Sequence, residues 1–135
     1  MFLFLSAQDI DSAEFGLLDA EGHLFSFEKL AVPPEKYLSS MVEFLDRQAV
    51  SLDSLKGIVV VSGPGSFTAT RLMVTIANTL AFTKQLPIVG VENSARQSGD
   101  ELIRDFGLIW IKQKADGFVM PIYDRPPHIT IKKQN

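Results

Sequence analysis

A glycine-rich hexapeptide, Gly63-Pro64-Gly65-Ser66-Phe67-Thr68, separates two segments of opposite habit. Residues 57–62 before it read Gly-Ile-Val-Val-Val-Ser, a short β-branched run suited to a buried strand. The stretch after it, Phe67–Lys84, reads as a helix. A strand, a tight glycine turn and a helix place backbone N–H groups at the positive end of a helix dipole. Two readings of that turn follow. It is either a backbone device that lets the strand enter the helix, with Ser66 or Thr68 as N-cap, or an anion site. It is neither a P-loop nor a dinucleotide fingerprint. No Lys stands at the phosphate position, and the third glycine of the fingerprint is missing.

The rest of the chain builds around this unit. Residues 2–5 read as a first strand. Ala13–Leu18 and residues 23–27 read as a hairpin across Asp19-Ala20-Glu21-Gly22. A helix opens at Pro33-Pro34-Glu35 and ends near Gln48, with Leu38, Met41, Val42 and Leu45 on one face. Tyr37 and Phe44 widen that face. Residues 87–91 form the last strand of a β-α-β unit, which predicts a right-handed crossover between parallel strands. The expected class is α/β, a mixed five-stranded sheet with packed helices. Beyond Val91 the pattern predicts a short helix at residues 99–106 stopped by Gly107, strands at 108–111 and 117–120, and an extended tail through Pro126 and Pro127. The division expected is a first domain at 1–91 and a short appendage at 92–135.

The long helix carries an unusual distribution of charge. Between Arg71 and Lys84 there is no charged residue. Leu72, Met73, Ile76, Ala77 and Leu80, with Ala69 beneath, form the face expected on the sheet. Arg71, Val74, Thr75, Asn78 and Phe82 lie on the other side, where a solvated helix would show several charges. That second face is either covered within the domain or docked on another protein. A chain of 135 residues has few elements left to cover it.

Other chemistry is sparse. A net charge of −3 argues against unaided grip on nucleic acid. No cysteine is present, and His23 and His128 are the only histidines, so neither a thiolate nor an all-histidine metal site is expected. Asp9, Asp11 and Glu14 cluster after the first strand and read as a solvated loop, with a metal or acid–base site the sharper alternative. Lys132 and Lys133 read as a solubilising end. The apolar start, residues 1–5, is too short for a signal or a membrane span, and a cytoplasmic protein is expected.

The hexapeptide with Arg71 resembles the Gly-Pro-Gly-Ser-Phe-Thr-Gly-x-Arg signature of the TsaB (YeaZ) family. The segment Ser51-Leu52-Asp53-Ser54-Leu55-Lys56-Gly57-Ile58 before it, and Ala77, Leu80-Ala81 and Leu86-Pro87-Ile88-Val89-Gly90-Val91 after it, resemble the family's flanking segments. Pro121-Ile122-Tyr123-Asp124-Arg125 is similar to its Pro-x-Tyr-Leu-Arg element. The resemblance implies an actin-like ATPase (ASKHA, ribonuclease H-like) fold and a bacterial accessory role in forming N6-threonylcarbamoyladenosine in tRNA. It implies a non-catalytic subunit that binds and activates a TsaD-like enzyme, joined by a TsaE-like ATPase, with tRNA met only through the complex. It implies no cofactor and no membrane partner. Family members dock through their first two helices, which match residues 34–48 and Phe67–Lys84 here. The partner face expected is Tyr37, Met41, Phe44, Arg71, Val74, Thr75, Asn78 and Phe82, facing a TsaD-like subunit or a second copy. A small nucleotide-binding ATPase or phosphotransferase using the Gly63–Ser66 turn is the alternative, as is a homodimeric module with no tRNA role. Several residues depart from the family pattern. Ala69 and Met73 stand where the family has Gly, Leu5-Ser6-Ala7-Gln8 replaces an Ile-Asp-Thr element, and Asp124 replaces a Leu. The first helix also lacks the family's histidine. Only 92–120 stands where the family has a second domain, so a reduced one-domain member is expected.

Overall fold

The computed structural model describes residues 1–113 and 117–123. Asp124, Arg125, Pro126, Pro127, His128, Lys132 and Lys133, with the tail predicted for them, lie outside the described residues. Five strands run β1 Phe2–Ser6, β2 Ala13–Leu18, β3 Leu24–Leu30, β4 Gly57–Gly63 and β5 Ile88–Glu92. Three helices are α1 Tyr37–Arg47, after a single tight turn at Pro34–Lys36, α2 Phe67–Lys84, and α3 Gly99–Lys112. The strands order β3-β2-β1-β4-β5. β1 pairs antiparallel with β2 and parallel with β4, and β4 pairs parallel with β5. This is the mixed five-stranded α/β sheet that the residue pattern predicts.

Alternation along the strands sorts their side chains into two cores. Leu3, Leu5, Phe15, Leu17, Ile58 and Val60 pack with α1 and α2. Phe4, Leu18, Val59 and Val61 point the other way and pack with Leu102, Ile103 and Trp110 of α3. The central strands are therefore buried on both faces, which is why β4 reads as an unbroken apolar run.

Three expectations are corrected. Gly107 does not end a helix, and residues 108–111 are not a strand; α3 continues through both to Lys112. Glycine stands there because α3 crosses the hairpin turn closely: a Cβ on Gly107 would fall 2.2 Å from the Gly22 carbonyl oxygen. Residues 117–120 form no strand. α3 covers one face of the sheet, and Trp110 stacks on Phe4 with ring centroids 5.9 Å apart.

Candidate partner face and strand-end cluster

α1 and α2 lie on the same face of the sheet, and their outer residues form the first candidate site. On α2 the buried arc runs through Ala69, Thr70, Met73, Val74, Ile76, Ala77 and Ala81. The small residues Ala69, Ala77 and Ala81 let the backbone sit close to the sheet, and Val74 turns inward with them. Leu72 and Leu80 are left only partly buried. The outer arc carries Arg71 and Thr75, both exposed, and Phe82, which is 86% exposed. The Arg71 guanidinium lies over the half-exposed Phe67 ring, 5.6 Å from its centroid.

The structure divides the expected partner residues. Arg71, Thr75 and Phe82 face outward. Tyr37, Met41, Phe44 and Val74 do not, because all four are core residues. The apolar arc of α1 is centred on Met41, Phe44 and Leu45, and Phe44 stacks on Phe15 at 5.9 Å. Tyr37 is turned in because its hydroxyl donates to the carbonyls of Asp9 at 3.1 Å and Ser12 at 3.2 Å. Burial, with Asp11 and Asp9 near, pushes its pKa up to about 12. The exposed apolar edge of α1 is instead Leu38 and Val42, which sequence periodicity assigns to the core. Asn78 is half-buried and spends its side chain on the backbone of Val119.

The second candidate site lies at the C-terminal ends of β1, β4 and β5, the position where open α/β sheets hold ligands. The signature turn is here, and several of its polar groups are paired within the chain. Ser66 caps α2, its Oγ accepting the Ala69 N–H at 3.0 Å. The Ser66 N–H donates to the Gln8 carbonyl at 2.8 Å. The Gln8 side-chain amide donates to the carbonyls of Pro64 at 2.6 Å and Asn93 at 2.9 Å, and accepts from Asn93 Nδ2 at 2.8 Å. Asn93 in turn bonds the backbone of Gln97 in both directions. One glutamine thus ties together all three strand-end loops. Gln8 was visible only as a departure from the family's Ile-Asp-Thr element; nothing local marked it or Asn93 as a network.

The glycines of the turn answer to sterics. A Cβ on Gly65 would sit 2.8 Å from Gln8 backbone and 2.5 Å from Thr70 Oγ1. Gly63 has φ +129°, and a Cβ there would fall 1.9 Å from the Ile122 carbonyl oxygen. Both therefore admit backbone that crosses the turn. Phe67 and Thr68 complete the signature as the first, outward residues of α2.

Beside this network lies a polar pocket of about 130 Å³, lined in part by Ser6, Gln8, Asp9, Glu14, Lys29 and Arg96. Pockets that enclose ligands of drug or nucleotide size run to about 300–1,000 Å³. Of the expected acidic cluster, Asp9 pairs with Arg96 at 2.8 Å. Glu14 is not solvated. It is buried and accepts the Gly99 N–H at 3.2 Å, at the start of α3. Desolvation holds its pKa above the usual carboxylate value, against the pull of the Gly99 bond and Lys29. Among the described residues one grouping could offer metal ligands, Asp19, Glu21 and His23 on the hairpin turn. Asp19 already accepts the N–H groups of Glu21 and His23.

Comparison with known proteins supplies the context. The family model of TsaD, tRNA N6-adenosine threonylcarbamoyltransferase, matches residues 34–95. The tRNA threonylcarbamoyladenosine biosynthesis protein TsaB of Bacillus subtilis is 37% identical over 70 residues, 52% of this chain and 26% of that protein. The tRNA N6-adenosine threonylcarbamoyltransferase of Geobacter metallireducens is 35% identical over 66 residues, 46% of this chain and 19% of that one. YeaZ from Pseudomonas aeruginosa superposes with a TM-score of 0.60 and 26% identity, over 68% of this chain and 44% of YeaZ. The chain thus spans about a quarter or less of these curated relatives and under half of that structure. The shared architecture is the actin-like, ribonuclease H-like sheet with its flanking helices. No helix among the described residues is long and apolar enough to cross a membrane.

Proposed function

Because the chain is a TsaB/YeaZ-like family member, we propose that it works in tRNA threonylcarbamoyladenosine formation as a non-catalytic subunit that binds and activates a TsaD-like enzyme. A TsaE-like ATPase joins the same assembly, and tRNA is met through the complex. One observation carries the reading: the outer face of α2 is uncharged from Leu72 to Thr83 and presents Phe82 at 86% exposure. An aromatic so placed costs free energy in water and gains it in a partner's pocket. Arg71, Thr75 and the α1 edge of Leu38 and Val42 extend the surface, and Lys84 closes it with an ion pair to Asp53.

The strand-end cluster favours a supporting role over nucleotide chemistry. The Ser66 N–H is spent on the Gln8 carbonyl and the Ala69 N–H on Ser66 Oγ, and the adjoining pocket is below nucleotide size.

The test is co-purification with the TsaD-like protein of the same organism, followed by a tRNA modification assay with and without this chain. Phe82→Ala should weaken the complex by about 2 kcal/mol, roughly thirtyfold, if Phe82 anchors it. Unchanged binding and self-association in Phe82→Ala refute the placement. Light scattering of the purified chain distinguishes a homodimer on the same face. Calorimetric binding of magnesium-ATP by the isolated chain would favour the nucleotide-binding alternative.

A further inference from the structure

The segment after α3 returns across the face that α2 presents. Asn78 holds it with paired bonds, its Nδ2 donating to the Val119 carbonyl at 2.8 Å and its Oδ1 accepting the Val119 N–H at 2.8 Å. The Val119 side chain enters the core against Gly90, where a Cβ would meet it at 2.6 Å. Further on, the Ile122 N–H donates to the Ser62 carbonyl at 2.6 Å, and Tyr123 bridges to Gly65. The Tyr123 ring then lies 4.7 Å from that of Phe67, the ring over which Arg71 sits.

With Val119 turned in, its neighbours are turned out: Phe118 is 63% exposed and Met120 68%. An extended strip so anchored adds two large apolar side chains beside the outer arc of α2. Asn78 stands one helical turn before Phe82, so both belong to the same arc. A part-buried amide that spends both donor and acceptor on the main chain of one residue is a clamp, since losing it removes the partner of that residue's N–H and C=O together.

We infer that residues 117–123 form the second half of the docking face for the TsaD-like subunit, with Asn78 as the positioning residue that holds them there. This rests on the proposed accessory role. Docking of the segment sets Tyr123 against Phe67, and through Phe67 the guanidinium of Arg71. The partner therefore meets a composite surface of Phe118, Met120, Phe82 and Arg71.

The experiment measures affinity of the full chain for the TsaD-like subunit of its organism, alongside amide hydrogen exchange of the free chain. Asn78→Ala should lose protection at the Val119 and Ile122 amides while the β4 amides keep theirs, and affinity should fall about tenfold. Asn78→Asp keeps the acceptor for the Val119 N–H and should fall between. Should Asn78→Ala fail to fold, the paired change Phe118→Ser with Met120→Ser, at exposed positions, should give the same loss. Freed amides with unchanged affinity overturn the inference, as does a Val119 amide still protected in Asn78→Ala. Phe82→Ala separates the two claims. If it weakens binding while the Asn78 and Phe118/Met120 variants do not, this inference alone fails; if it leaves binding unchanged, the docking face itself is misplaced.

Discussion

Gly65→Ala tests whether the signature turn is built for backbone packing or for a ligand. Gly65 has no positive φ, so alanine faces no conformational strain there. The cost is contact. The new methyl would meet Thr70 Oγ1 at 2.5 Å and Gln8 Cα and O at 2.8 Å. Thr70 can rotate away only by giving up its hydroxyl bond to the Ala7 carbonyl, long at 3.5 Å but buried. Losing it costs about 1 kcal/mol. Gln8 cannot retreat freely, because its carbonyl accepts from Ser66 and its side chain holds Pro64 and Asn93. Overpacking against so fixed a backbone costs about 1–3 kcal/mol. Stiffening of the unfolded chain returns about 0.4–1 kcal/mol. The net is a loss of about 1–3.5 kcal/mol, or a fall in melting temperature of roughly 5–15 °C for a domain of this size. Gly117→Ala is the control, since nothing lies within 4 Å of its Cβ position, and it should stay within about 0.5 kcal/mol. Thermal and urea melts followed by circular dichroism give both values. A Gly65→Ala protein as stable as the unaltered chain would refute the packing argument, and one that also lost affinity for an anion would restore the phosphate reading.

Other substitutions separate surface from core. Phe44→Ala should cost about 3–5 kcal/mol in urea melts, because the ring is fully buried on Phe15. Leu38→Ser, at a residue 54% exposed on the same helix, should leave the melt within about 0.5 kcal/mol and weaken only partner binding. Trp110→Ala should cost about 3–5 kcal/mol, and a chain cut after Val91 should not fold cooperatively, since Phe4, Leu18, Val59 and Val61 would lose their cover. Glu14→Gln should be more stable than the unaltered chain at pH 8. The folded pKa of Glu14 is raised by burial, so its ionised form opposes folding above that pKa. The difference in melting temperature should narrow once the pH drops below that raised value and be gone below the unfolded value of 4.5.

From β1 to β5 the architecture was legible because period and punctuation agree there. β-branched runs end at Gly or Pro, and the helices between them are long. Past β5 two local signals misled. A glycine inside a helix reads as a stop, but Gly107 answers to Gly22, a residue 85 positions earlier, and no local rule sees that contact. Leu108-Ile109-Trp110-Ile111 is apolar on every side, so strand and helix periods fit it equally. Only the burial of Trp110 against Phe4, with Leu108 and Ile109 in solvent, shows the helical period. The outer face of α2 was half legible. Missing charge marks that face, but the sheet-facing arc expected from the sequence lies about half a residue's turn away from the observed one, which takes in Val74. On α1, aromatic size suggested anchors, whereas Tyr37 and Phe44 are the bulk that fills the core. No local pattern marks Glu14 as a buried group, because burial of that carboxylate depends on α3 arriving over it.

The strand-end cluster bears on why a signature turn persists in a chain read as an accessory subunit. In an open α/β sheet the crevice at the ends of the parallel strands is the natural ligand site, because helix N-termini converge on it. Here the same geometry is occupied by protein. Gln8 offers one donor group and one acceptor to three loops, Ser66 caps its own helix, and Gly63 and Gly65 admit the backbone of Ile122 and Gln8. Gly63, Gly65 and Ser66 would therefore remain constrained with no phosphate present. The constraint also reaches the outer face of α2. The turn launches α2, and its glycines seat the strip that carries Phe118 and Met120 past that helix. A turn that positions a docking surface needs the same glycines as one that cradles an anion. It does not need the lysine, and this chain has none in the turn.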